Sequence, residues 1–295
     1  MINLDSKIRD IKHDPEKVFS KEISKLYEEL KSKGITFRPR VYASDEWFSP
    51  DASPTIALPF YLLDKSLTLR AKKELKNDVE GTSKKDFMKL LRHECGHAIE
   101  TAYNLKYSRT RQRHFGLFSK PYPSGFSPQY QKKGFVDYLG HGYGPSHPSE
   151  DFAETFALWL EHGEKAKDLY SEDPLTLSKI TAMEKMMNNI KGKSAKNKSK
   201  KTYDSHKKMT SSISSFFLEK KAFFRTSEKN KIFKDIKIDT SKKILDSRKE
   251  NSSAYKTFLI DLKAYRPKHY QSSEETSLLS SYNEYKRKNL HIIPM

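Results

Sequence analysis

Residues 93 to 97 read His93-Glu94-Cys95-Gly96-His97, two histidines four apart with a glutamate directly after the first. On a helix this spacing projects both imidazoles from one face, where they can bind one zinc ion, and it places Glu94 to act on a metal-held water. A catalytic zinc normally has three protein ligands and a water, so the pattern demands a third His, Glu or Asp elsewhere. The run from His147 to Leu160 supplies His147, Glu150, Asp151 and Glu154 as candidates.

Two helices are needed to hold these groups. At about 100° per residue, Phe87, Met88, Leu91, Cys95, Ala98, Ile99 and Ala102 fall on one side of a helical wheel and His93 and His97 on the other. Ser83 and Asp86 resemble a capping box, so the pattern predicts a helix from about 83 to about Asn104. Pro148 suits the first turn of a second helix, with Phe152, Phe156, Trp159 and Leu160 as its apolar back and Glu150 and Glu154 sharing the front. Ala153 and Ala157 flank that front and leave room for a neighbouring helix. A bare carboxylate pair is ordinarily a solvated helix face; the histidine pair upstream turns this one into a ligand candidate.

HECGH, followed at long spacing by Tyr143, His147-Pro148 and Glu150-Asp151-Phe152-Ala153-Glu154-Thr155, resembles the bacterial zinc-binding metallopeptidases, a group similar to anthrax lethal factor and Mlc titration factor A within the gluzincin type of zincin. The resemblance covers roughly residues 35 to 165. It implies a zincin-like fold in which His93, His97 and Glu150 bind Zn2+, Glu94 is the general base and Glu154 orients a ligating histidine. Tyr143, seven residues before Glu150, takes the place of that family's catalytic tyrosine, which stabilises the oxyanion. His147 is expected as a helix cap or a residue behind the ligands, not a ligand itself. The implied activity is hydrolysis of a peptide or protein substrate. The spacer between His97 and Glu150 is much longer than in thermolysin-like enzymes, so their substrate contacts do not transfer.

Ile35 to Tyr42 and Thr55 to Tyr61 read as strands, with Pro39 and Pro59 placing them at a sheet edge. Zincins bind extended peptides along such an edge, which makes Ile56 to Phe60 the candidate substrate edge and equally an ordinary core strand. Residues 106 to 147, rich in Tyr, Phe, Pro, Gly and Arg, read as a long irregular connection of the kind that forms a rim or lid. Its arginines, Arg109, Arg111 and Arg113, could grip an acidic ligand, though a solvated loop explains them more simply.

Composition bounds the rest. The 295 residues give room for one core and a smaller second unit, and the 35% hydrophobic and 32% charged shares fit a soluble protein with an extended polar part. The N-terminus lacks the apolar run of a secretory signal, and no stretch has the length of a membrane span. One cysteine excludes an internal disulfide; Cys95, on the apolar side of its helix, is expected in the core, and the reducing cytoplasm is the expected compartment. Residues 1 to 190 carry 30 Lys/Arg against 27 Asp/Glu, a net +3, so of the total +18 the last 105 residues carry +15. The expected organisation is an α+β zincin-like catalytic domain over 1–190 with a small mixed sheet, a lysine-rich linker over 191–212 and a basic, mainly helical region over 213–295. That tail could contact nucleic acid or another anionic partner by neutralising phosphates, although no motif that reads RNA or DNA accompanies it. The rival to the peptidase is therefore a zinc-binding protein of the same fold, weak or inactive as a catalyst, that engages an anionic partner through the tail.

Overall fold

The computed structural model describes residues 3–75, 79–123 and 128–221. Its helices are α1 (Pro15–Val18), α2 (Ser20–Ser32), α3 (Lys65–Leu75), α4 (Lys84–Ala102), α5 (Arg109–Phe115), α6 (Pro148–His162) and α7 (Pro174–Ile190), and its two strands are β1 (Val41–Ser44) and β2 (Ile56–Pro59). The class is α+β: mostly helical, with a two-stranded parallel sheet in the register Val41↔Ile56 to Ser44↔Pro59. Among the described residues no helix is long and apolar enough to cross a membrane.

The central helix is α4. Ser83 caps it, its hydroxyl accepting from the Asp86 N–H at 3.1 Å and donating to the Asp86 carboxylate at 2.5 Å. Its first turn is exposed at Lys84, Lys85 and Asp86, and from Leu90 onward every residue is buried. Its apolar back (Phe87, Leu91, Cys95, Ile99) joins one continuous core with Leu26 and Leu30 of α2, Ile56 and Leu58 of β2, and Met183 and Met186 of α7. Cys95 is fully buried there, and burial pushes its thiol far above the ordinary value, which keeps it protonated and inert.

The front of α4 packs against α6. A methyl group at Gly96 would lie 3.0 Å from the Ala153 Cα and 3.2 Å from the Phe156 Cβ, so the missing side chain sets how near the two helices come. Gly96→Ala is expected to push α6 outward and to cost about 1–3 kcal/mol, as overpacking of a filled core does. Chemical denaturation would measure the loss, and a variant as stable as the wild type would show that the interface has slack.

Several expectations from the sequence are corrected. Residues 35 to 40 are not strand: β1 begins at Val41, because Pro39 offers no N–H and its carbonyl instead accepts from the Tyr27 hydroxyl at 2.8 Å. β2 is not an open edge. Ala57 pairs with Tyr42 on one side and bridges Phe48 on the other, its N–H reaching the Phe48 carbonyl at 2.8 Å, and Ile56 to Leu58 are fully buried, so this strand is core. The long connection after α4 is not wholly irregular, since it holds α5, whose first turn is capped by Ser108.

The lysine-rich stretch after α7 is laid along the domain instead of hanging from it. The Lys196 and Asn197 N–H groups reach the last carbonyl of α4, that of Ala102, at 2.8 and 2.9 Å. The Lys193 carbonyl accepts from Tyr103 at 3.1 Å, that of Tyr203 from Tyr42 at 2.9 Å and that of Asp204 from Ser44 at 2.6 Å. Residues 213–221 are helical, and Ile213 and Phe217 are buried in the same core as α4, so the packed unit extends past residue 190. The rest of the region expected to be basic and mainly helical, residues 222–295, lies outside the described residues.

Candidate metal centre

His147 starts α6: its Nδ1 accepts the Ser149 N–H at 3.1 Å and Pro148 takes the first helical position, where no N–H is needed. That start puts Glu150 in the first turn and Glu154 one turn later, both facing α4. The acidic residues also suit the positive end of the helix dipole.

The carboxylate of Glu150 meets both imidazoles. Its Oε2 lies 3.1 Å from His93 Nε2 and 3.3 Å from His97 Nε2, and one ligand atom from each of the three residues falls within 4.8 Å of the others. All three side chains are buried, Glu150 and His93 at 0% exposure and His97 at 3%. Ligand atoms at roughly 2.0–2.2 Å from a tetrahedrally bound ion sit about 3.3–3.6 Å apart, and the two pairs that Glu150 makes, at 3.1 and 3.3 Å, are a few tenths of an ångström or less from that spacing. The donor set, two imidazole nitrogens and one carboxylate oxygen, is one that takes a divalent metal.

Glu154 holds His93 in place. Its Oε1 is 3.1 Å from His93 Nδ1, while its Oε2 accepts the backbone N–H groups of Tyr138 at 2.5 Å and Leu139 at 3.0 Å. With Nδ1 facing this carboxylate, Nε2 is the nitrogen that would meet an ion beside Glu150 Oε2. Glu154 therefore links the loop before α6 to the ring that faces the cluster.

Glu94, Glu150 and Glu154 are three buried carboxylates around two imidazoles, a negative excess that burial makes costly unless a cation balances it. The titration of the groups reflects this. Burial opposes charge on His93, yet the hydrogen bonds of Glu150 and Glu154 and the charges of Glu154 and Glu94 win and hold its pKa well above the ordinary value. His97 is likewise raised, burial being outweighed mainly by Glu150. Burial pushes Glu94 up to about 7, against the lowering pull of His93 and His97.

Two tyrosines border the cluster. Tyr143 lies with its ring centroid 6.3 Å from that of His93. It follows Gly142, whose φ is +60° and whose backbone passes so close to Gln129 and Tyr130 that a side chain has no room, so glycine fixes where Tyr143 emerges. Tyr122 contacts a ligand carboxylate: its hydroxyl donates to Glu150 Oε1 at 2.7 Å, and its ring stacks on His147 at 3.6 Å and 13°. Burial and the Glu150 charge raise the Tyr122 phenol well above its usual pKa, so it stays a donor. His147 uses both nitrogens away from the cluster, Nδ1 as the cap and Nε2 on the Lys120 carbonyl at 2.6 Å; burial lowers its pKa to about 4.

The residues singled out from sequence thus gather as follows: His93, His97, Glu150 and Glu154 converge, Tyr143 stands beside His93, and His147 lies behind as the cap. Tyr122 was not singled out, and its setting between Pro121 and Pro123 reads only as a turn. Arg111 was read as one of three loop arginines. It is fully buried, its Nε donating to Glu100 at 2.5 Å and its remaining nitrogens to the Gly116 carbonyl and, at 3.4 Å, to Ser149.

Comparison with protein-family models, with curated proteins and with solved structures finds no match. The resemblance to the zinc metallopeptidases rests on the motif residues alone.

Proposed function

We propose that this chain is a zinc-dependent metallopeptidase with a zincin-like catalytic domain, in which His93, His97 and Glu150 hold the ion. The observation that carries this reading is the buried convergence of those three side chains on Glu150 Oε2. Zinc at such a site supplies a lowered water pKa and a polarised substrate carbonyl. Glu94, directly after His93 in sequence and buried beside the cluster, accepts the proton of the attacking water and returns it to the departing amine nitrogen. Tyr143, beside His93, donates to the oxyanion that forms on the substrate. Glu154 keeps His93 oriented through the turnover.

A second reading has an observation of its own. With all three ligand residues between 0 and 3% exposed, a peptide would have to reach a buried ion, whereas binding zinc alone needs no such access. On that reading the chain binds zinc without cleaving peptides and engages an anionic partner through its basic C-terminal region.

The test is metal content together with hydrolysis. The peptidase reading expects about one zinc per chain, cleavage of a broad peptide library, and loss of that cleavage with a chelator. His93→Ala is expected to lose stoichiometric zinc and activity together. Stoichiometric zinc without cleavage of any library member selects the second reading, and a His93→Ala protein that keeps its zinc rejects both.

A further inference from the structure

Glu150 has two carboxylate oxygens, and they have different neighbours. Oε2 faces both imidazole nitrogens, at 3.1 and 3.3 Å, while Oε1 accepts the Tyr122 hydroxyl at 2.7 Å. We propose that Tyr122 is a positioning residue that keeps Glu150 a one-oxygen ligand and so keeps the fourth coordination position clear. The inference rests on the metal-centre reading above and adds a residue that the HECGH pattern does not contain.

The chemistry is a competition for Oε1. A carboxylate can bind an ion through one oxygen or through both, and zinc accepts five ligands as well as four. A phenol donating to Oε1 occupies a lone pair and turns the carboxylate plane so that Oε2 alone meets the imidazoles. Partners of this kind tune a metal site without touching the metal.

Tyr122 is itself well placed to hold that geometry. Its ring lies flat on the His147 imidazole, and His147 is pinned by the Ser149 N–H on one nitrogen and the Lys120 carbonyl on the other. The Lys120 carbonyl belongs to the same segment as Tyr122, so His147 fixes the phenol both through its face and through its edge. Arg111 holds the start of that segment at the Gly116 carbonyl. Tyr143 borders the cluster as well, its ring centroid 6.3 Å from that of His93.

The experiment compares the full-length wild type with Tyr122→Phe, each loaded with zinc for X-ray absorption and with cobalt for visible absorption, and each checked for folding by circular dichroism. The wild type is expected to show four-coordinate zinc with a single carboxylate oxygen. In Tyr122→Phe the zinc shell is expected to gain one oxygen, and the visible absorption per cobalt to fall by about half as the ion leaves tetrahedral geometry. Identical spectra for the two proteins overturn the role of Tyr122. So does a wild type whose shell already contains both Glu150 oxygens, a measurement that does not depend on the variant folding. A wild type that takes up neither metal overturns the metal-centre reading itself, which separates the two failures.

Discussion

Glu94→Gln is expected to lower turnover of a cleavable peptide by about a hundred- to ten-thousand-fold while leaving zinc near one per chain, the loss that removal of a general base produces. The amide nearly matches the carboxylate in shape, so the packing of α4 against α6 is preserved. Because Glu94 lies outside the His93, His97 and Glu150 set, the metal is retained, in contrast to His93→Ala. A separate effect is expected in the metal-free protein. Burial raises the folded pKa of Glu94 to about 7, above its ordinary 4.5, so its contribution to stability is present below about pH 4.5 and is lost as pH rises through 7. Glutamine does not titrate, and metal-free Glu94→Gln should therefore lose less stability than metal-free wild type between pH 5 and 8. Turnover within threefold of wild type would remove Glu94 from proton transfer, and loss of zinc would make it part of the metal-holding set.

The parts of this site that could be read in the sequence are those fixed by local geometry. Ser83 and Asp86 mark the start of α4, Pro148 marks the start of α6, and the intervals from His93 to His97 and from Glu150 to Glu154 are single helical turns. Ala153, which the pattern marks as leaving room for a neighbouring helix, does face α4, where a methyl group at Gly96 would lie 3.0 Å from its Cα. What escaped depends on contacts that leave no pattern. Tyr122 reaches Glu150 across a loop, and nothing in its own neighbourhood distinguishes it from the other tyrosines. The lysine-rich stretch after α7 looked like a linker because its side chains are polar. It is held by its backbone, through the Lys193, Tyr203 and Asp204 carbonyls and the Lys196 and Asn197 N–H groups, which any residue type would supply. The same limit explains β2. Its alternation-free apolar run fits a strand, but whether an edge is open depends on a partner such as Phe48, which bridges Ala57 from outside either strand.

Arg111→Leu should destabilise the fold by about 3–5 kcal/mol, the cost of leaving a buried charge without its partner. The charge left behind is Glu100, which is 4% exposed and lies on α4 one turn beyond His97. For a packed unit of this size the loss corresponds to a fall in Tm of roughly 6 to 20 °C. Leucine cannot replace what the guanidinium joins: Glu100 on α4, the Gly116 carbonyl at the end of α5, and Ser149, the residue before Glu150 on α6. Loss of that tie should loosen the segment carrying Tyr122 as well as the start of α6, so zinc affinity is expected to fall along with stability. The double variant Glu100→Leu/Arg111→Leu separates the two consequences. Replacing both charges with apolar groups removes the unpaired carboxylate and should restore part of the stability. It does not restore the links to Gly116 and Ser149, so zinc affinity should stay low. Thermal denaturation and a competitive chelator titration on the same three proteins measure both quantities. A single variant within 1 kcal/mol of wild type would show that Glu100 finds another partner, and a double variant with wild-type zinc affinity would show that the metal centre does not depend on this tie.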